Sequence, residues 1–144
     1  NGLNGVGSIT AFYTVLSEGD DQQDPIADAA RGILDGHIVL TRDLAEAGHY
    51  PAIDVERSIS RVMTAVASRE HQAAARRLRQ LLSRVNKARD LIQLGAYTPG
   101  HDAELDLAVR LQPQMSALLQ QDMHAAAPLD ASRKQLQQLM AQAQ

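Results

Sequence analysis

"SREHQAAARRLRQLLSRVNKARDLIQLG", residues 68–95, places Ala74, Leu78, Leu81, Val85, Ala88 and Ile92 at alternating gaps of four and three. That spacing returns each residue to one side of an α-helix, so the stretch predicts a long helix with a single apolar stripe. Arg76, Arg79, Ser83 and Lys87 fall off the stripe, and Gly95 is the expected stop. Downstream, "YTPGHD", residues 97–102, reads as a turn that ends on Asp102 as a helix N-cap. Pro113 lacks an N–H and crowds the preceding turn, so "AELDLAVRLQPQMSALLQQ", residues 103–121, is expected to divide into two shorter helices. "DASRKQLQQLMAQ", residues 130–142, is Gln-rich and weakly amphipathic, and is expected to fray.

Upstream the pattern changes. "SITAFYTVL", Ser8 to Leu16, is a nearly continuous apolar and β-branched run of the kind found in a strand covered on both faces. "DPIADAARGILD", residues 24–35, is a helix with Asp24 at the N-cap and Pro25 at the first helical position, ended by Gly36. "HIVLT" predicts a second short buried strand and "TRDLAEAG" a short helix stopped by Gly48. Strand, helix, strand, helix is the rhythm of a parallel sheet with crossover connections. "GHYPAIDVERSISR", residues 48–61, reads by default as a connecting loop, and no strand is expected after Ser60. The expected architecture is therefore a partial α/β unit, residues 1–60, followed by an all-helical unit, residues 61–144. Two strands leave both edges of a parallel sheet open, so upstream residues are expected to complete it.

Charge divides the chain at the same point. Residues 1–60 carry ten acids and three bases, residues 61–100 two acids and eight bases, and the remainder five acids and three bases. The 144 residues, 44% apolar, suffice for one ordinary domain or two small ones. Apolar stretches are interrupted well short of the ~20 residues of a membrane span, and no signal-peptide pattern is present, so a cytoplasmic setting is expected. The absence of cysteine excludes disulfides, thiolate catalysis and cysteine-based metal sites. An initial Asn in place of Met suggests a piece of a longer protein.

Few chemical motifs stand out from the residues alone. "NGLNGVG" is glycine-rich but is followed by Ile and Thr, without the lysine and hydroxyl a phosphate cradle requires, and reads as a flexible loop. His37, His49, His71, His101 and His124 lack metal-ligand spacing, so no metal site is expected. Arg76, Arg77, Arg79 and Arg84 could meet phosphates, but no aromatic side chain is interleaved to stack bases. A solvated or protein-facing surface is expected there, with no nucleic acid. "EGDDQQDP", residues 18–25, is an acidic loop feeding a helix start, and reads either as a solvated turn or as a contact for a basic partner.

From about Gly5 to Met123 the chain resembles the type III protein-export ATPases, relatives of the catalytic subunit of rotary ATP synthases. The resemblance rests on "GSITAFYTVLSEGDDQQDPIAD", "ILDGHIVLTRDLAEAGHYPAID", "SISRVM" and "QLLSRVNKARDLIQLGAYTPG". "DDQQDP" resembles the flagellar branch. What it implies is the C-terminal part of a RecA-like nucleotide-binding core, then a C-terminal helical domain, in a hexameric ATPase that drives export of flagellar proteins. It implies ATP with Mg2+ as ligand, bound mainly by residues outside this chain, so that the chain by itself is expected to be inactive. It makes Arg61 an arginine finger that reaches a neighbouring subunit's γ-phosphate, Tyr50 of "YPA" the residue stacked on adenine, and Tyr97 a second residue near that pocket.

The same resemblance assigns Asp20, Asp21 and Asp24 to contact with a central stalk protein. Arg76 and Arg79 become a docking face for export chaperones and cargo, and the membrane export gate an indirect partner. The implied location is cytoplasmic and peripheral to the inner membrane. Two alternatives remain open: a non-catalytic docking module for chaperones, and a fragment of another hexameric nucleotide motor such as an ATP synthase subunit or a termination helicase.

Overall fold

The computed structural model describes residue 5, residues 7–16 and residues 24–143. Contacts within the chain divide it into Asn1–Leu34 and Asp35–Gln144. In the first unit, helix α1 spans Pro25–Ile33. Asp24 caps it as expected, its Oδ1 accepting from the Ile26 N–H at 2.8 Å. The strand expected at Ser8–Leu16 does not form: apart from an isolated bridge at Ser8 the stretch has no regular structure, and Phe12 is 87% and Leu16 90% exposed. β-branched and aromatic residues favour a pleated surface only where neighbours cover them, and among the described residues no strand pairs with this run.

The second unit holds the two-stranded sheet and the remaining helices. Strand β1, Gly36–Leu40, pairs antiparallel with β2, Ile53–Ser60, in the register Gly36 to Ser60, His37 to Ile59, Val39 to Asp54 and Leu40 to Ile53. The antiparallel pairing corrects the expected parallel crossover, and β2 corrects the expected loop. Helix α2 between the strands, Arg42–Glu46, has five residues. At ~1.5 Å per residue it is too short to carry the chain back along a strand, so the chain returns directly. Between the two paired ends β2 bulges. Asp54 Oδ1 accepts from the N–H groups of Glu56 (2.9 Å) and Arg57 (3.0 Å), Ser58 Oγ donates to the Asp54 carbonyl at 2.6 Å, and the Val39 N–H turns to Ser58 Oγ at 3.0 Å.

Beyond a single turn, α3 (Met63–Val66), come α4 (Arg69–Lys87), α5 (Arg89–Gln93), α6 (Ala103–Leu119) and α7 (Leu129–Ala141). The predicted long helix is thus two, parted at Ala88, and the apolar stripe faces the core as expected. Ala74, Leu78, Leu81 and Val85 of α4 meet Ala108, Leu111 and Met115 of α6 and Leu136, Leu139 and Met140 of α7, with Leu81 and Met115 fully buried. Pro113 lies inside α6, which is one helix and not two. The ring sits on the exposed side, while buried Leu111 and Met115 flank it and hold the helix across the ~3 kcal/mol an interior proline costs. Helix α7 does not fray, because its Leu136, Leu139 and Met140 complete the core that α4 and α6 leave open.

Candidate functional site

Arg61 follows directly on β2, and its position is set by the backbone. Its N–H donates to the Asp35 carbonyl at 2.8 Å, the last tie between the outgoing strand and the residue that precedes β1. The side chain is exposed. A planar cation on a pinned backbone can fork onto two oxygens of a phosphoryl group brought to it from outside the chain.

Tyr50 stands at the other end of β2, in the loop that joins α2 to the strand. Gly48 takes φ +71 there, and the His49 N–H returns to the Leu44 carbonyl at 2.8 Å, closing the turn after α2. The Tyr50 carbonyl accepts from the Gln121 N–H at 2.9 Å, and Gln120 Nε2 lies 3.3 Å from His49 Nδ1. These contacts join the loop to the C-terminal end of α6. An open depression between them is lined by Gly48, Tyr50, Gln120, Gln121 and Asp122. Tyr50 is 58% exposed, which suits its ring to a flat heterocycle, with two carboxamides beside it to hydrogen-bond the edge of a base.

Tyr97 is not brought to this depression. Its hydroxyl donates to Asp106 Oδ1 at 2.5 Å in the first turn of α6, and Asp106 Oδ2 accepts from the Gly100 N–H at 2.8 Å. From Asp106 to Gln120 the helix climbs about 21 Å at ~1.5 Å per residue, so the two tyrosines sit at opposite ends of α6. The Asp106 carboxylate holds the Tyr97 phenol above its ordinary value, and the hydroxyl together with the Gly100 amide holds Asp106 below its own. Gln120, Gln121 and Asp122 were missed by sequence reasoning. The only trace of them was their place just past an apolar helix end.

The arginines of α4 turn out to have separate fates. Arg77 forks onto Glu104, Nη1 to Oε2 at 2.8 Å and Nη2 to Oε1 at 3.0 Å, and also donates to the Ala143 carbonyl at 3.1 Å, tying α4 to the start of α6 and the end of α7. That fork raises the guanidinium above its ordinary value and lowers the Glu104 carboxyl. Arg84 pairs with Asp102 at 3.0 Å, while Asp102 Oδ1 caps α6 by accepting from the Glu104 and Leu105 N–H groups. Arg79 donates to the Ser58 carbonyl in the bulge of β2, and Asn86 donates to Glu56 beside it. Arg76 alone of the two predicted docking arginines is exposed without such a tie to another element among the described residues.

Of the predicted acidic contacts, Asp24 is half-buried with its carboxylate engaged in capping α1, and Asp20 and Asp21 lie outside the described residues. Among the described residues no group of three His, Asp or Glu is placed to hold a metal ion. The side chains present fit the base end of a nucleotide at Tyr50 and an anionic oxygen pair at Arg61. Among the described residues they do not include a cradle for a whole triphosphate.

Residues 67–138 match the T3SS EscN ATPase C-terminal domain, and residues 2–60 match the nucleotide-binding domain of the ATP synthase alpha/beta family. The flagellum-specific ATP synthase of Salmonella typhimurium is 60% identical over 136 residues, which cover 94% of this chain and 30% of that protein. The assembled ATPase EscN of the enteropathogenic Escherichia coli type III secretion system superposes with a TM-score of 0.89 at 44% identity, over 92% of this chain and 32% of that one. The same ATPase in complex with its central stalk EscO superposes at 0.76 with 40% identity, over 80% of this chain and 28% of that one. The chain thus spans about a third of the length of the proteins it matches.

Proposed function

This chain belongs to the type III secretion ATPase family, and from that premise we propose that it is the C-terminal part of a hexameric ATPase that energises export of flagellar proteins. Residues 1–60 belong to the nucleotide-binding core and residues 61–144 form the helical domain. ATP with Mg2+ is the substrate, held chiefly by residues beyond this chain. Tyr50 stacks on the adenine of its own protomer's nucleotide, with Gln120 and Gln121 beside the base. Arg61 is a finger offered to the nucleotide of the next protomer.

The observation that carries this reading is the separation of Arg61 from Tyr50. They lie at opposite ends of an eight-residue strand, so one chain does not bring both into one pocket. A ring in which each serves a different nucleotide uses both. Phosphoryl transfer spreads negative charge over the moving group, and a guanidinium that meets this charge supplies ~10³ to 10⁵ in rate, or about 4 to 7 kcal/mol of barrier. The acidic stretch with Asp20, Asp21 and Asp24 faces a stalk protein in this reading, as EscN is complexed with EscO. The exposed Arg76 is the contact offered to acidic export chaperones, and Arg79 serves instead to hold β2. The machine works in the cytoplasm, at the inner face of the export apparatus.

In the full-length assembled protein, Arg61→Ala lowers kcat by ~10³ or more while the Kd for ATP stays within about threefold, because the lost contact is made in the transition state. Normal turnover with weakened binding would overturn the finger. The 144-residue chain alone gives no steady ATP turnover, and turnover above background would overturn the division of the active site between chains.

A further inference from the structure

We propose that Gly36 is a positioning residue for Arg61, a role that rests on the finger reading above. Gly36 opens β1 and is paired across the sheet with Ser60, the residue before Arg61. A Cβ added to Gly36 would lie 2.5 Å from the Ile59 carbonyl oxygen, 3.2 Å from the Ser60 Cα and 3.4 Å from the Ile59 carbonyl carbon. All three atoms are backbone and cannot swing aside as a side chain would. The demand is purely steric: Gly36 does not occupy the left-handed region, unlike Gly48 and Gly95, whose added Cβ atoms would meet nothing within 4 Å. A glycine inside a strand at such a distance marks the close approach of two backbones.

The neighbouring residue supplies the other half of the device. The Asp35 carbonyl takes the Arg61 N–H at 2.8 Å, so one residue draws the start of the finger in and the next leaves the clearance that lets it come. The bulge at Asp54–Ser58 interrupts the ladder behind this point, so the Gly36 pairing and the Asp35 bond set the strand end locally. An alanine at position 36 must push Ile59 and Ser60 outward by something near 1 Å to reach ordinary contact, and Arg61 moves with them. A misplacement of ~1 Å at a catalytic group costs on the order of 100-fold in rate.

The test is a double-mutant cycle of Gly36→Ala and Arg61→Ala in the full-length assembled protein, with kcat, the KM for ATP, oligomer size and circular dichroism read for each. The expected result is a 10- to 100-fold loss of kcat in Gly36→Ala with KM and oligomer size unchanged, and no further loss when Arg61 is already Ala. A kcat within twofold of wild type, or a loss that multiplies with that of Arg61→Ala, overturns the positioning role. Should Gly36→Ala fail to fold, Ile59→Gly loosens the same strand end without a clash and takes its place in the cycle. If Arg61→Ala itself keeps full turnover, the finger and its positioning residue fall together. If only Gly36→Ala keeps it, the finger stands and Gly36 does not.

Discussion

Leu139→Ala measures whether α7 is part of the core or an appendage. Leu139 is 6% exposed and belongs to the cluster shared by α4, α6 and α7. The substitution removes three carbons, about 2.4 kcal/mol of transfer free energy at ~0.8 per methylene. A cavity that α4 and α6 can fill only in part brings the cost to about 3 kcal/mol, within the range of such truncations. Unfolding entropy over residues 35–144 is about 0.23 kcal/mol per kelvin at ~2.1 cal/mol/K per residue, so the midpoint falls by roughly 13 °C. Thermal unfolding of the chain followed by circular dichroism at 222 nm reads it directly. Leu129→Ala, at the first position of the same helix and 69% exposed, is the control and shifts the midpoint by only about 2 °C. Equal shifts from the two substitutions would refute the placement of α7 in the core.

Acid stability follows from the carboxylates of α6. Glu104 is held below its ordinary value of 4.5 by the Arg77 fork, so in the acid range the unfolded chain binds more protons than the folded one. Its contribution is full above about pH 4.5 and is lost as the pH falls through the lowered folded value. Glu104→Gln therefore flattens the fall of the unfolding midpoint on acidification, and a profile that retains the wild-type slope below that pH contradicts the assignment. In the full-length protein, Tyr50→Ala raises the KM for ATP by roughly 5- to 150-fold, the equivalent of ~1 to 3 kcal/mol of stacking. Tyr97→Phe leaves that KM unchanged because its hydroxyl serves Asp106, and a comparable rise in KM would return Tyr97 to the adenine pocket.

What was legible in the residues was what short-range physics decides. The α4 stripe, the Asp24 and Asp102 caps and the Gly48 and Gly95 stops follow from spacing and from side chains that reach only two or three residues away. Strand β2 was also within reach: Ile53, Val55, Arg57 and Ile59 alternate with Asp54, Glu56 and Ser58, a period of two that a loop reading overlooks. The continuity of α6 through Pro113 and the burial of α7 were not legible, since each depends on core contacts with other helices, far along the chain from the residues concerned. The same holds at the site. Arg61 and Tyr50 came from a motif resemblance, whereas Gln120 and Gln121 meet Tyr50 only because α6 ends where the loop after α2 passes.

The four arginines of α4 show why a basic run is weak evidence for a binding face. Arg76, Arg77, Arg79 and Arg84 lie within nine residues, and by composition they make one patch. Folding distributes three of them to Glu104 and Asp102 at the start of α6 and to the Ser58 carbonyl in β2. A guanidinium already forked onto a carboxylate offers little further charge to a partner, since the pair is close to neutral at a distance. Arg79 has a second consequence. By holding the bulge of β2 to α4 it links the helical core to the strand that ends in Arg61, while Asp35 and Gly36 hold the far end. The end of β2 before Arg61 is thus held from two sides, by the Arg79 side chain on the Ser58 carbonyl and by the Asp35 carbonyl on the Arg61 N–H.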